Sequence, residues 1–285
     1  MSVEIPKATS YAYGEEYQRA QVEKHRNRKS NHWQPRLALA HRIVDEWVLP
    51  RFSDRPLQDV VLIDVGCSIG TMAIEFAKRG FRARGVDFDA AALAIGRDLC
   101  REEGVRVEFH RGDVADWQKA SGEQVDVAVC FDIFEHLHDD ELGAMLQAIR
   151  RQMSDRGTLV FYSFPLQFDY IFFSRDPLSW PLVPFKWLSP QRFERVTRAY
   201  AAILDAALLL ATGQSYKERI KKLAHCNPTT AARLHDILTR AGYDVAMMET
   251  TNLYPFKMHI QKRFARQPIA RRQVYGVAYA RPAVR

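Results

Sequence analysis

The sequence is poor in the features that would assign it quickly. It has four cysteines, Cys67, Cys100, Cys130 and Cys226, and none forms a CxxC pair. That scatter argues against a zinc site or a disulfide framework and for a reducing compartment. No apolar run approaches the roughly 18 residues of a membrane span. The longest, "AAILDAALLLATG", is short and interrupted by Asp205. The start, "MSVEIPKATSYAYGEEYQ", lacks a basic-then-apolar signal pattern. Together these absences lead us to expect a soluble, cytoplasmic protein. Internal repeats and low-complexity segments are missing too. The formal net charge is +7, carried by "RAQVEKHRNRKSNHWQPR", "YKERIKKL" and "QKRFARQPIARRQ". Such a balance is compatible with nucleic acid, anionic lipid or a phosphorylated substrate. No base-reading motif accompanies it, so nucleic acid is disfavoured and a solvated basic surface is the simpler reading.

What is present is a globular composition, 47% hydrophobic and 26% charged over 285 residues. A chain of this size needs no covalent staples to bury a core. Residues 10 to 49 read as helices, with "QPRLALAHRIVDEWVLP" apolar at helical spacing and Pro50 as its end. Strands and helices then alternate. "VVLIDV", "RARGVD", "VRVEF", "QVDVAVCF" and "GTLVFYSF" read as strands, the first as a run buried on both faces. "TMAIEFAKRG", "DAAALAIGRDLCREEG" and "DDELGAMLQAIRRQM" read as helices, with Asp89 as an N-cap and Gly80 and Gly104 as stops. This alternation predicts an α/β, doubly wound, mostly parallel sheet. An aromatic and helical stretch interrupts it after the fifth strand. A helix in "NPTTAARLHDILTRAG", capped by Asn227 or Thr229, precedes the strands "YDVAMMET" and "VYGVAYAR". The expected organisation is a helical cap over 1–58, a core over 59–164, an insertion over 165–225 and a return to the core over 226–285.

The loop "GCSIG" brings Gly66 and Gly70 to a strand-to-helix turn, where glycine permits a tight turn and close approach of a ligand. The dinucleotide fingerprint GxGxxG is absent, because Ser68 and Ala73 stand at its second and third glycines. Asp87 ends the second strand, 21 positions after Gly66. An acid at that spacing can bind both ribose hydroxyls, although it can also cap a helix. Asp113, in "HRGDVADW", would stand at the next strand end, where it can accept from an adenine amino group. Dehydrogenases do not need that acid.

Together these residues resemble the class I S-adenosylmethionine-dependent methyltransferases, whose first motif is similar to "DVGCSIG" with Ser68 in place of the middle glycine. The resemblance covers roughly Val60 to Phe164 and implies a seven-stranded Rossmann-like methyltransferase sheet. It also implies S-adenosyl-L-methionine as cofactor and S-adenosyl-L-homocysteine as product. By position, it places Asp64 near the methionine amino group, and Gly66, Cys67 and Gly70 beneath the methionyl moiety. Asp87 takes the ribose, Phe88 packs on adenine, Asp113 takes the adenine amine with Val114 beside it, and Phe131 lies near the methionine end.

"FDIFEHLHDD", after the fourth strand, resembles the "EHL" segment of small-molecule methyltransferases, including those of ubiquinone biosynthesis. Methyl transfer needs an aligned nucleophile and a proton acceptor, and histidine has a suitable pKa. His136 is the first candidate base; packing against the cofactor loop is its competing role. His138 lies nearer the solvated helix start. Some resembling O-methyltransferases hold a divalent metal through an acid-x-x-Glu-His pattern, which Asp132, Glu135 and His136 match. His225, at the end of the insertion, is a second candidate, with a helix-start hydrogen bond as its alternative. The insertion, rich in Phe168, Tyr170, Phe172, Phe173, Trp180, Phe185 and Trp187, is expected to select the acceptor or close as a lid. Part of it should form a small core of its own. Arg175, Lys186 and Arg192 would suit an anionic acceptor group, and "YAYGEEYQRAQ" and "NHW" would cap the cofactor. The expected partner is a small-molecule acceptor, with a sugar or anionic group and a homodimer left open. The competing readings are a tRNA or rRNA methyltransferase, a dinucleotide enzyme and a non-catalytic cofactor-binding protein.

Overall fold

The computed structural model describes residues 14–27, 32–166, 171–172, 176–220, 225–253 and 259–281. Helix α1 (Glu15–Arg26) carries acids in its first turn and bases in its last, the arrangement the helix dipole favours. Helix α2 (Trp33–Ile43) is followed without a break by a π turn, Val44–Val48, and a 3-10 turn, Leu49–Phe52. Pro50 therefore does not stop the chain's coiling. It lies at the start of the 3-10 turn, where a missing N–H costs nothing.

The sheet begins with β1 (Val61–Val65), buried at every position. Helix α3 (Thr71–Lys78), β2 (Arg82–Asp87), α4 (Ala90–Glu103), β3 (Glu108–Arg111), α5 (Val114–Ser121) and β4 (Val125–Phe131) follow. Asp89 caps α4 by accepting the N–H groups of Ala91 and Ala92, and Gly104 closes it with φ 65°. The expected third strand starts later than its sequence suggests. The turn that ends α4 takes up Val105, whose N–H goes to the Cys100 carbonyl. Pairing with β2 then opens only at Arg84↔Glu108.

Helix α6 (Asp139–Gln152) leads to β5 (Met153–Ser163), and the insertion follows. It contains a 3-10 segment, Asp176–Phe185, the long helix α7 (Pro190–Thr212) and the short α8 (Tyr216–Ile220). Helix α9 (Ala231–Arg240) is capped by Thr230, whose side chain accepts from Arg233 N, rather than by Asn227 or Thr229. Strand β6 (Tyr243–Thr251), α10 (His259–Arg263) and β7 (Gln273–Ala280) complete the chain.

The seven strands run in the order β3-β2-β1-β4-β5-β7-β6. The first five are parallel, and β7 lies antiparallel between β5 and β6. One face of the sheet packs on α5, α6 and α9 through Trp117, Leu146, Ile149, Leu234 and Leu238. The other packs on α2 and α3 through Leu37, Ile43, Val44, Met72 and Phe76. The insertion has a separate core, in which Phe172, Leu182 and Phe193 meet Ile260, Phe264 and Ile269. No helix among the described residues is long and apolar enough to cross a membrane.

Candidate active site

The order in which successive strands are laid down reverses between the parallel neighbours β1 and β4, and ligands of open α/β sheets bind at the carboxyl ends of strands at such a point. There the chain leaves β1 through alternate residues of positive φ: Gly66 (72°), Ser68 (51°) and Gly70 (77°). Ser68 adopts the left-handed backbone that a glycine would hold, at a cost of about 1–2 kcal/mol. Its N–H is held by Asp87 Oδ2 at 2.7 Å, and the N–H groups of Gly66 and Cys67 both donate to the Val86 carbonyl. The loop is thus fastened to the end of β2. It also has no room for side chains at its glycines. A Cβ at Gly66 would stand 2.4 Å from Ile133 Cδ1, and one at Gly70 would stand 2.5 Å from Phe109 Cζ. Phe109 and Ile133 were not legible as loop supports, because each is distant in sequence from the loop.

The acids stand around this loop. Asp64, at the end of β1, is buried and accepts the Ala73 N–H at 3.2 Å. Burial pushes its carboxyl up to about 7, opposed by that bond and reinforced by Asp87. Asp87 is also raised, chiefly by burial, although the N–H groups of Asp89 and Ser68 favour its charged form. The Gly112 N–H donates to the Asp87 carbonyl, which brings Asp113 beside the end of β2. Asp113 is exposed and its carboxylate accepts Asp116 N at 2.7 Å, so it opens α5. Val114 is buried next to it, and Phe88 is 46% exposed. Cys67 is buried, and burial raises its thiol well above the ordinary value. Phe131 is buried and stacks on Tyr162 at 5.4 Å.

Helix α1 lies against the same region. Gln18 Nε2 donates to Asp89 Oδ2 at 3.1 Å. Tyr17 is raised by burial and feels the charges of Asp132 and Asp87. The buried His25 meets Thr71 Oγ1 at 2.9 Å and Glu103 Oε1 at 2.7 Å, which ties α1 to α3 and α4. Of the expected cap residues, those up to 13 and Asn31 lie outside the described residues. His32, held down to about 4 by burial and by Arg36, packs edge-on against Trp33.

At the end of β4 the structure revises the expected metal set. Asp132 has φ 54° and receives the Arg36 guanidinium, Nε to Oδ2 at 2.6 Å and NH2 to Oδ1 at 3.3 Å. Arg36 is buried and lies over the Tyr162 ring; helical patterning gave no sign of this role. Glu135 and His136 are joined instead by His225, with one ligand atom from each lying within 4.8 Å of the others. The two imidazoles meet edge-on with centroids 4.8 Å apart. Backbone bonds cause the meeting. Asn227 N donates to the Glu135 carbonyl, Asn227 Nδ2 to the Leu137 carbonyl, and Cys226 Sγ to the His136 carbonyl. Phe164 lies edge-on to His225, and Arg272 lies over Phe164 at 4.8 Å. Burial lowers His225, which keeps its imidazole neutral near pH 7. Glu135 is fully buried, accepts the Ser163 hydroxyl at 2.9 Å, and is raised well above the carboxylate range by burial and by Asp132. His138 forms a capping box with Glu141 at the start of α6.

The insertion's aromatics divide. Phe172 lies in its core, while Trp180, Phe185 and Trp187 are exposed. Phe168, Tyr170, Phe173 and Arg175 lie outside the described residues. Lys186 sits over the Trp187 ring at 4.8 Å, and Arg192 is exposed.

Residues 62–157 match the family model of a methyltransferase domain. The chain is 33% identical over 78 residues to a ubiquinone biosynthesis O-methyltransferase from Hahella chejuensis (strain KCTC 2396), covering 27% of this chain and 33% of that one. It is 28% identical over 119 residues to the enzyme of that name from Sodalis glossinidius (strain morsitans), covering 42% and 43%. The chain therefore spans less than half the length of these curated relatives. Among solved structures, the PH0226 protein from Pyrococcus horikoshii OT3 shares the fold with a TM-score of 0.54 at 14% identity, covering 94% of this chain and 100% of that one.

Proposed function

We infer that this chain, whose core is a class I S-adenosylmethionine-dependent methyltransferase domain, transfers a methyl group to an oxygen of a small-molecule biosynthetic intermediate. The residues suit the cofactor. The loop over Gly66–Gly70 holds its backbone in alternate left-handed residues, fastened to Asp87, and Asp64 and Asp87 offer carboxylates beside it. The bound cofactor supplies an electrophilic methyl on a sulfonium. Asp87 would accept from the ribose hydroxyls, Phe88 and Val114 would flank the adenine, and Asp113 would accept from its amine.

The observation that carries oxygen methylation is the meeting of His136 and His225 beside the end of β4. The imidazoles would stand beside an acceptor hydroxyl placed there, and the bound cofactor would supply the methyl group that it takes up. The proton of that hydroxyl would pass to an imidazole, a role that suits His225, whose pKa burial lowers. His136 positions that imidazole or takes the proton itself. The names of the relatives support a small hydroxylated acceptor.

A second reading rests on the same cluster. One carboxylate and two imidazoles are a donor set for a borderline divalent ion. The high carboxyl of Glu135 opposes this, since a ligand must give up its proton. The experiment is labelled methyl transfer from S-adenosylmethionine to a small-molecule extract, with and without chelator, beside a titration with S-adenosylhomocysteine. Failure to bind either cofactor form would remove the reading altogether. Binding without any labelled product favours a non-catalytic protein, and loss of product in chelator favours the metal.

A further inference from the structure

We propose that Arg272 selects the acceptor by its charge, holding the carboxylate of a small hydroxy acid whose hydroxyl lies at the His136 and His225 pair. The inference rests on the proposed function and names the acceptor class for that same site.

Topology brings this arginine to the crevice. Strand β7 runs antiparallel to β5, with Ser163 opposite Val274. The residues that enter β7 therefore stand where β5 ends, at the carboxyl edge of the parallel strands. Backbone bonds fix Arg272 there. Its N–H donates to the Thr251 carbonyl at the end of β6, and its carbonyl accepts the Leu166 N–H. Its side chain turns to Phe164, with the guanidinium carbon 4.8 Å from the ring centre. The same ring meets His225 edge-on at 6.3 Å, and His225 meets His136 at 4.8 Å. One half-buried phenyl ring thus separates a guanidinium from the imidazoles, a span that a small molecule can bridge.

The chemistry of this arrangement favours a carboxylate. An arginine over an aromatic face is held by attraction to the ring, and its planar fork of N–H groups matches two carboxylate oxygens. The surrounding charge has the right sign. From His259 to Gln273 the sequence carries Lys262, Arg263, Arg266, Arg271 and Arg272 and no acid. Within that run Arg263 pairs with Asp176. The acids beside the imidazoles are engaged, Asp132 by the Arg36 guanidinium and Glu135 by the Ser163 hydroxyl. Of the cations that the sequence offers for an anionic acceptor, Lys186 lies over Trp187 and Arg192 is exposed on α7. Arg272, beyond the insertion, shares a ring with His225.

The test is calorimetric titration of the full chain, with and without S-adenosylhomocysteine, by salicylate, protocatechuate and lactate, each beside its primary amide. At least one acid should bind about tenfold or more tighter than its amide, as a hydrogen-bonded charge requires. Arg272→Met should abolish that difference and leave amide binding unmoved. Arg272→Lys should keep part of it, because the charge remains and the fork is lost. Arg271→Gln removes the same charge one residue away and should leave the preference intact, which separates recognition from the general field. Thermal midpoints should hold, since Arg272 is fastened through its backbone. Equal binding of every acid and its amide, or a preference that survives Arg272→Met, overturns the proposal. So does a labelled methyl product that an anion exchanger fails to retain at neutral pH. Acids that bind through Arg272 to a chain with no affinity for S-adenosylhomocysteine would strike the proposed function and keep the carboxylate site, so the two failures are distinct.

Discussion

The two ends of the crevice are built by different means. The proposed cofactor end is made by local sequence: a strand, a turn of alternating left-handed residues, a helix, and one acid at each of three strand ends. The proposed acceptor end is made by contact between segments almost ninety residues apart, His136 after β4 and His225 after the insertion. Where backbone conformation alone creates a site, the sequence must show it, because few residues can adopt those angles. Where packing creates a site, many sequences will do, and the pattern is faint.

The largest expected effect separates the two ends by kinetics. His225→Ala or His136→Ala should lower kcat about 10²–10⁴-fold, as loss of a positioned proton acceptor does. Affinity for S-adenosylhomocysteine, measured by calorimetry, should stay unchanged. An equal fall in both would place the imidazoles at the cofactor end and erase the distinction. In the wild type, the low pKa of His225 should put the acid limb of kcat/KM below pH 6.5.

Gly70→Ala attacks the other end. Its φ of 77° costs an alanine about 1–2 kcal/mol. The Phe109 ring must shift as well, since the new Cβ would stand 2.5 Å from Cζ. Urea denaturation should show the loss and calorimetry a weakened cofactor. Asp87→Asn comes next. Hydrogen bonds to a charged group contribute about 1.5–3 kcal/mol, so cofactor affinity should fall roughly ten- to a hundredfold. Retained affinity would mean that the carboxylate serves only Ser68 and Asp89.

Asp64 sharpens the comparison through pH. Its folded pKa, about 7, lies above the ordinary 3.8, so the folded chain keeps a proton that the unfolded chain releases. Stability of the cofactor-free protein should therefore fall as pH rises from about 4 past 7. Asp64→Asn should flatten that slope and raise the thermal midpoint at pH 8, while weakening cofactor binding. The smallest effect belongs to Asp113→Ala. Loss of a helix cap costs about 1 kcal/mol, and an exposed carboxylate adds little affinity. A hundredfold loss of binding would show that the adenine end is tighter than its exposure suggests.

Most of the sheet was legible, because strands buried on both faces appear as continuous apolar runs and Asp89 and Gly104 mark the bounds of α4. The edge strand β3 was misplaced by its start, since pairing rather than apolar character sets where it begins. Both histidines could be named, but nothing in their neighbourhoods foretold that Asn227 would bind the Glu135 and Leu137 carbonyls and bring them together. Arg36 was hidden for a related reason: an arginine on an amphipathic helix reads as solvated until Asp132 and Tyr162 are found around it.

The bridge between Leu166 and Thr229 has a consequence of another kind. It brings the two ends of the insertion side by side, so the sheet experiences this long excursion as a short turn. The entropy of closing a loop grows only slowly with its length. Between them, the chain can lengthen or shorten with little entropic cost to the strands beneath, provided that His225 to Asn227 keep their contacts with Glu135 to Leu137 and the insertion's core keeps its packing on Ile260, Phe264 and Ile269. Under the proposed function, the crevice could thus keep one cofactor while its acceptor changes, and the segment between Leu166 and His225 is where such a change would be grafted, with His225 to Thr229 left in place.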